Sequence, residues 1–231
     1  MKKKILKLFS ILFLGLCLTA CGNESKETKN KSEVDVQEKQ ELNIIEEKDG
    51  GIVKGTLEGY TFTETEEQTD RIKIEMENGD IILVVLSNSD TPITIKNFKK
   101  LVSQKFYDGI IFHRVIEDFM IQGGDPTGTG MGGSDEEIKG EFTQNGVTNS
   151  LSHTRGVISM ARSSNMDSAS SQFFICHKDS TYLDGSYAAF GKVFAGMDAV
   201  DRIATVDTDD NDKPLNEQKI KSIRFITVEK A

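Results

Sequence analysis

Residues suited to acid, base or nucleophilic chemistry are few in this chain. Its three histidines, His113, His153 and His177, stand at no metal-ligand spacing from one another or from a cysteine. No Gly-x-Ser-x-Gly elbow is present, and no local motif sets a histidine as base for a serine or cysteine. A lone histidine between strands reads as a satisfied structural residue. Cys176 follows the apolar run Phe173-Phe174-Ile175 and reads as a small buried hydrophobe rather than a nucleophile. Two further patterns fail on context. Gly128-Thr129-Gly130-Met131-Gly132-Gly133 fits G-x-G-x-x-G, but Asp125-Pro126 interrupts any entering strand and Ser134-Asp135-Glu136-Glu137 opens no clear helix, so a dinucleotide loop is excluded. Asp207, Asp209 and Asn211 imitate an EF-hand, yet the sixth position is Asp212 instead of Gly and the twelfth is Gln218 instead of Glu. That segment reads as a solvated acidic loop. Neither a metal nor a cofactor is expected.

The elements around these residues are short. Arg71 to Met76 alternates polar and apolar residues, Asn78-Gly79 follows, and Ile81 to Leu86 is apolar throughout, which predicts a β-hairpin. Thr91-Pro92 offers an N-cap and a proline at the first helical position. Ile95, Phe98, Leu101 and Val102 then carry the helical spacing to about Lys105. Further strands are predicted at Ile110 to Ile116, Phe119 to Gln122, Val157 to Ala161, Gln172 to Cys176, Ala188 to Val193 and Ile220 to Val228, with a second helix over Gly196 to Ala204. Short strands, two helices and no βαβ rhythm predict a mainly β protein whose antiparallel sheet closes into a barrel, one domain over residues 54–231.

The first fifty residues are of another kind. Lys2, Lys3, Lys4 and Lys7 precede an uncharged apolar run from Leu8 to Leu18, too short for the roughly 20 residues that span a bilayer. Residues 1–20 read as a signal peptide. Leu18-Thr19-Ala20-Cys21 looks like the lipobox of bacterial lipoproteins, which would make Cys21 the acylated mature N-terminus. Residues 21–53 then form a lipidated cysteine and a polar tether without an aromatic residue. Removing the signal takes away four lysines and no acids, so the formal charge moves from −9 to −13. So acidic a protein has no basic stripe for nucleic acid and no electrostatic attraction to anionic lipid, which leaves the acyl chains as the anchor. The expected location is extracytoplasmic, on the cell membrane.

Five separated blocks share one resemblance. Phe112-His113-Arg114-Val115-Ile116, Phe119-Met120-Ile121-Gln122-Gly123-Gly124-Asp125, Ser159-Met160-Ala161-Arg162, Ser171-Gln172-Phe173-Phe174-Ile175, and Leu183-Asp184-Gly185 with Phe190-Gly191-Lys192-Val193 resemble the cyclophilins, in order and spacing, from about residue 70 to 229. The resemblance implies an eight-stranded antiparallel closed barrel capped by two helices and a peptidyl-prolyl cis/trans isomerase activity. It implies Arg114 as the catalytic residue, a proline pocket of Phe119, Met120, Phe174 and Leu183, and backbone contacts from Gln122, Ala161, Arg162 and Gln172. Tyr182 and Tyr187, also implied to contact substrate, take positions where many eukaryotic members carry Trp and His, and Met166 stands in a loop where bacterial relatives often carry proline. Substrates would be proline-containing segments of unfolded or exported proteins, and a monomer is expected.

The chemistry needs no nucleophile. An X-Pro bond is planar by resonance, with a barrier of about 18–20 kcal/mol. Twisting removes the conjugation and leaves a lone pair on the prolyl nitrogen that a guanidinium can meet only in the transition state. Read residue by residue, the same aromatics could be barrel core and Arg114 a surface partner of Glu117 or Asp118. The same fold could also serve as a binding module for proline-containing segments, or as a holdase chaperone.

Overall fold

The structure, a computed structural model, describes residues 41–86 and 89–230. The signal peptide, Cys21 and most of the tether lie outside the described residues. Strands β4 (Arg71–Met76) and β5 (Ile81–Val85) pair antiparallel through the Asn78-Gly79 turn. There Gly79 takes φ +88°, a left-handed conformation natural to glycine, and the Asn78 side chain accepts from the Asp80 N–H at 3.0 Å. Helix α1 (Pro92–Ser103) begins at proline as predicted and buries Phe98, Leu101 and Val102. Its first-turn N–H groups are met from far along the chain. Ile93 and Thr94 donate their N–H groups to the buried Glu141 carboxylate at 3.0 and 2.7 Å, and the Thr94 hydroxyl adds a third bond at 2.7 Å.

Phe98 is the hub of an aromatic core. Its ring lies 5.0 Å from Tyr107, 5.6 Å from Phe173 and 5.1 Å from Phe190, uniting the helix with the strands that follow. Those strands are β6 (Ile111–Phe112), β7 (Arg114–Ile116), β8 (Met120–Gly123), β9 (Val157–Met160), β10 (Phe173–Cys176) and β11 (Ala189–Ala195). Helix α2 (Met197–Ala204) packs Ala199, Val200 and Ile203 on the same core, and β12 (Gln218–Lys230) ends the described chain.

Mainly β with two helices holds, but the sheet departs from the expected eight-stranded closed barrel. There are twelve strands among the described residues, and the order β1 (Leu42–Lys48), β2 (Gly51–Leu57), β3 (Tyr60–Glu64), β12, β4, β5, β11, β9, β10, β8, β7 does not return on itself. Two causes account for the difference. The predicted strand Ile110 to Ile116 breaks at His113, so that β6 pairs with β12 while β7 pairs with β8. Three more strands, β1, β2 and β3, lie before the predicted hairpin, and β1 and the start of β2 fall within the segment read as tether. The folded body therefore reaches back to Leu42, ahead of the expected start at residue 54.

These added strands cover the outer face of the hairpin. Ile52, Leu57 and Phe62 pack on Ile81, Leu83, Ala195 and Ile226 in a second apolar cluster, so β5 is buried on both faces. This is why Ile81 to Leu86 is apolar throughout instead of alternating. The fully buried Lys73 binds Glu64 at 2.6 Å and Glu75 at 2.7 Å and donates to the Ile52 carbonyl, while the Ile52 N–H donates to Glu75 at 3.1 Å. Burial pushes the Glu75 carboxyl up, yet the bond and charge of Lys73, with Lys221 and the Ile52 N–H, hold it below the usual carboxylate range. Removing one partner of such a group strands the other in a dry site. Lys73→Ala should destabilise the domain by about 3–5 kcal/mol in urea unfolding. A loss under about 1 kcal/mol would show that the hairpin does not depend on this cluster.

Candidate active site

A single cross-strand row carries the polar and apolar centre of the site. Arg114 on β7 faces Gln122 on β8, Gln122 faces Phe174 on β10, and Phe174 faces Ser159 on β9. Strand alternation sends the neighbours Val115, Ile121, Phe173, Ile175 and Ile158 into the main core. On the opposite side is a groove of about 620 Å³ bordered by Arg114, Phe119, Met120, Gln122, Ala161, Arg162, Phe174, Leu183 and Tyr187. Met120, Phe174 and Leu183 are buried, and with Val157, Cys176 and Ala189 they form a third apolar cluster against which Phe119, Ala161 and Tyr187 pack. Gln172 lines an adjoining hollow instead. Tyr182 borders neither. It is 71% exposed, and its ring lies 5.9 Å from that of Phe119.

Hydrogen bonds assign a direction to each polar residue. Gln122 Nε2 donates to Gln172 Oε1 at 2.9 Å, and Gln172 Nε2 donates to the carbonyls of Gly130 and Gly132 at 3.1 and 2.7 Å. The guanidinium of Arg162 is bolted in place. Its Nε and Nη2 donate to the Ser186 carbonyl at 3.0 and 2.9 Å, and it sits 4.8 Å from the Tyr187 ring centre and 5.1 Å from that of Phe142. Arg114 is freer. Its Nε donates to Asp212 Oδ2 at 3.2 Å, and its terminal nitrogens have no hydrogen-bond partner among the described residues. That pairing replaces the Glu117 or Asp118 contact considered from sequence.

Two segments that the sequence pattern sets aside border the groove. The glycine-rich stretch supplies Gly128, Thr129 and Gly130, and the acidic loop supplies Asp209, Asn211 and Lys213. Asp125 shapes the first. Burial pushes its carboxyl up, but the N–H and hydroxyl of Thr127 and the N–H groups of Gly132 and Gly130 pull it down to about 2. The Gly130 N–H bond is 2.6 Å long. The glycines thus let successive N–H groups wrap a carboxylate of the chain itself rather than a phosphate. No spacing rule reveals either contact, because both depend on long-range folding.

The histidines divide. His153 is bonded at both nitrogens, Nδ1 to Asp184 at 2.8 Å and Nε2 to the Ser159 hydroxyl at 3.0 Å, and its ring stacks on Phe174 at 6.0 Å between centres. Asp184, His153 and Ser159 have the partners of a hydrolytic triad, but Ser159 is fully buried and serves to brace the back of Phe174. His113 is only 6% exposed and borders the groove, and neither ring nitrogen is bonded among the described residues, contrary to the expected satisfied role. Among the described residues no cluster of His, Cys, Asp and Glu could hold a metal.

Residues 71–225 match the family model described as "Cyclophilin type peptidyl-prolyl cis-trans isomerase/CLD". The chain belongs to the cyclophilin-type peptidyl-prolyl isomerases. It is 42% identical over 159 residues to the Neurospora crassa "Peptidyl-prolyl cis-trans isomerase-like 1", covering 68% of this chain and 95% of that protein. It is 47% identical over 136 residues to a peptidyl-prolyl cis-trans isomerase of Acinetobacter baylyi, covering 55% of this chain and 68% of the relative. Among solved structures, a Cryptosporidium parvum cyclophilin determined in the presence of the dipeptide Ala-Pro superposes with a TM-score of 0.60 at 33% identity, over 67% of this chain and 97% of that one. The enzyme is therefore a peptidyl-prolyl cis-trans isomerase, and β1–β3 lie before the part that the family model matches.

The pH behaviour of this cyclophilin follows from its buried histidines. Burial lowers His113 below its ordinary 6.5 against the pull of Asp125, with Lys213 and Arg114 adding to the fall. Burial also lowers His153, outweighing Asp184. Both are neutral from about pH 6.5 upward. A group whose folded-state value is depressed contributes stability in full above its unfolded value and loses it as the pH falls through the folded one. Stability should therefore be constant above about pH 6.5 and fall below it, while turnover followed by exchange NMR, which needs no proton transfer from the folded enzyme, should be flat between about pH 6 and 8. A bell centred inside the window would require a histidine acting as acid or base.

Proposed function

We propose that this cyclophilin accelerates X-Pro isomerisation by donation from Arg114 to the prolyl nitrogen in the twisted transition state, and that it does so for exported proteins from a lipid anchor on Cys21. The observation that carries the mechanism is the shared row of Arg114, Gln122 and Phe174, with terminal guanidinium nitrogens that have no partner among the described residues beside a pocket walled by apolar side chains. The ring of proline fits against Phe119, Met120, Phe174 and Leu183, held by shape rather than charge. Gln122, Gln172, Ala161 and Arg162 contact the peptide backbone. Since Arg162 Nε and Nη2 already bond Ser186, that residue acts mainly as a rigid wall. The low dielectric of the pocket strengthens a charge-assisted bond that the planar ground state cannot accept. The Ala-Pro dipeptide used with the Cryptosporidium relative supports proline-containing segments as substrate.

Two tests bear on this reading. Arg114→Ala should lower kcat/KM by about 10²–10³-fold, the loss typical of one preorganised donor, with an unchanged unfolding midpoint because the side chain is 43% exposed. A rate within a few-fold of wild type would remove Arg114 from the mechanism. For the anchor, Cys21→Ser should abolish the acylated mature form and release the protein from the membrane fraction, as stable anchoring needs more than one chain. Recovery of the same membrane-bound species from the mutant would refute lipidation.

A further inference from the structure

We infer that Asp212 is a positioning residue, which holds the Arg114 guanidinium by its Nε edge so that the terminal nitrogens present to the prolyl nitrogen; this rests on the proposed role of Arg114. Two observations combine. Asp212 Oδ2 accepts from Arg114 Nε at 3.2 Å, a contact that fixes one edge of the planar fork and leaves the other free. Asp212 itself has φ +63°, a left-handed conformation unusual for any residue but glycine, although Asp and Asn tolerate it best. The turn can therefore place a carboxylate there at little cost.

The loop is built to hold that carboxylate still. The Val115 N–H, next to Arg114 on β7, donates to the Asp212 carbonyl at 2.8 Å, and the Asp212 N–H donates to the Asp209 carbonyl at 3.1 Å. The Asp209 carboxylate accepts from the N–H groups of Asn211 and Lys213 at 2.9 and 3.0 Å, and the Asp209 N–H donates to the Lys213 carbonyl at 2.8 Å. The turn is thus locked from within and clipped to the very strand that carries Arg114. Both side chains of the pair are about two-fifths exposed, so as a stabilising contact it contributes little. Its effect is on geometry: a long side chain loses rotamer freedom before the substrate arrives instead of in the transition state.

A double-mutant cycle tests the inference. Asp212→Gly removes the carboxylate in a backbone conformation that suits glycine, so the turn and the Val115 bond persist. It should lower kcat roughly two- to fivefold, the weight of an exposed ion pair placed wholly in the reactive geometry, with KM within about twofold. Asp212→Asn keeps an acceptor oxygen in the same conformation and should restore most of the rate. In an Arg114→Ala background, assayed at enzyme concentrations where residual turnover exceeds the uncatalysed rate, Asp212→Gly should have no further effect. An equal loss in both backgrounds, or none in the wild type, would overturn the positioning role while leaving Arg114 in place. If Arg114→Ala alone retained the rate, the reading of Arg114 would fail and this inference with it.

Discussion

The register of four neighbouring strands is the constraint on which the site depends. Arg114, Gln122, Phe174 and Ser159 lie on two pairs of consecutive strands, β7–β8 and β9–β10, and each is a direct cross-strand partner of the next, the Gln122–Phe174 pairing joining the two. Because side chains alternate with a period of two, a slip of one residue in β8 or β10 would send Ile121 or Ile175 to the groove and Gln122 or Phe174 into the core. The register is held by what lies beneath it. Phe173 and Ile175 are anchored in the aromatic core around Phe98, and Ile121 and Val115 in the same cluster, so the apolar face sets the polar one. Groove geometry and core packing are therefore two faces of a single arrangement.

Much of this arrangement is legible along the chain because it is local. Asn78-Gly79 between alternating strands, and Pro92 ahead of a helical stripe, each state a backbone preference within a few residues, and both elements form where expected. β1–β3 escape for a physical reason. They bury few apolar residues, chiefly Ile52, Leu57 and Phe62; β1 is exposed along most of its length, Ile44 and Ile45 included, and many of the remaining positions are Lys, Thr and Glu. What makes them strands is the outer face of β5, a surface that exists only after folding. The break at His113 is equally hidden, since nothing in Ile110 to Ile116 marks a change of partner from β12 to β8.

The same boundary separates the readable part of the site from the rest. Residues on regular strands, such as Arg114, Gln122 and Phe174, come to the groove by alternation. Loop residues come by closure of the chain: Asp212 reaches Arg114 across 98 positions. Glu141 reaches Thr94 across 47, and Asp184 reaches His153 across 31. Acidic loops and isolated histidines look idle in a sequence because their partners are chosen by topology, and here Asp212 meets the groove's Arg114 while Asp184 meets the histidine that stacks on Phe174.

Cys176 follows from the same alternation and has a different consequence. It lies next to Phe174 and Ile175 at the end of β10, fully buried in the apolar cluster behind the pocket, and burial pushes its thiol up to about 12, with Asp184 and Asp179 adding to the rise. Thiol–disulfide exchange needs an accessible thiolate, and this sulfur is neither ionised nor reachable. It is the one cysteine among the described residues. Among the described residues the groove therefore presents no thiol with which a bound peptide could exchange.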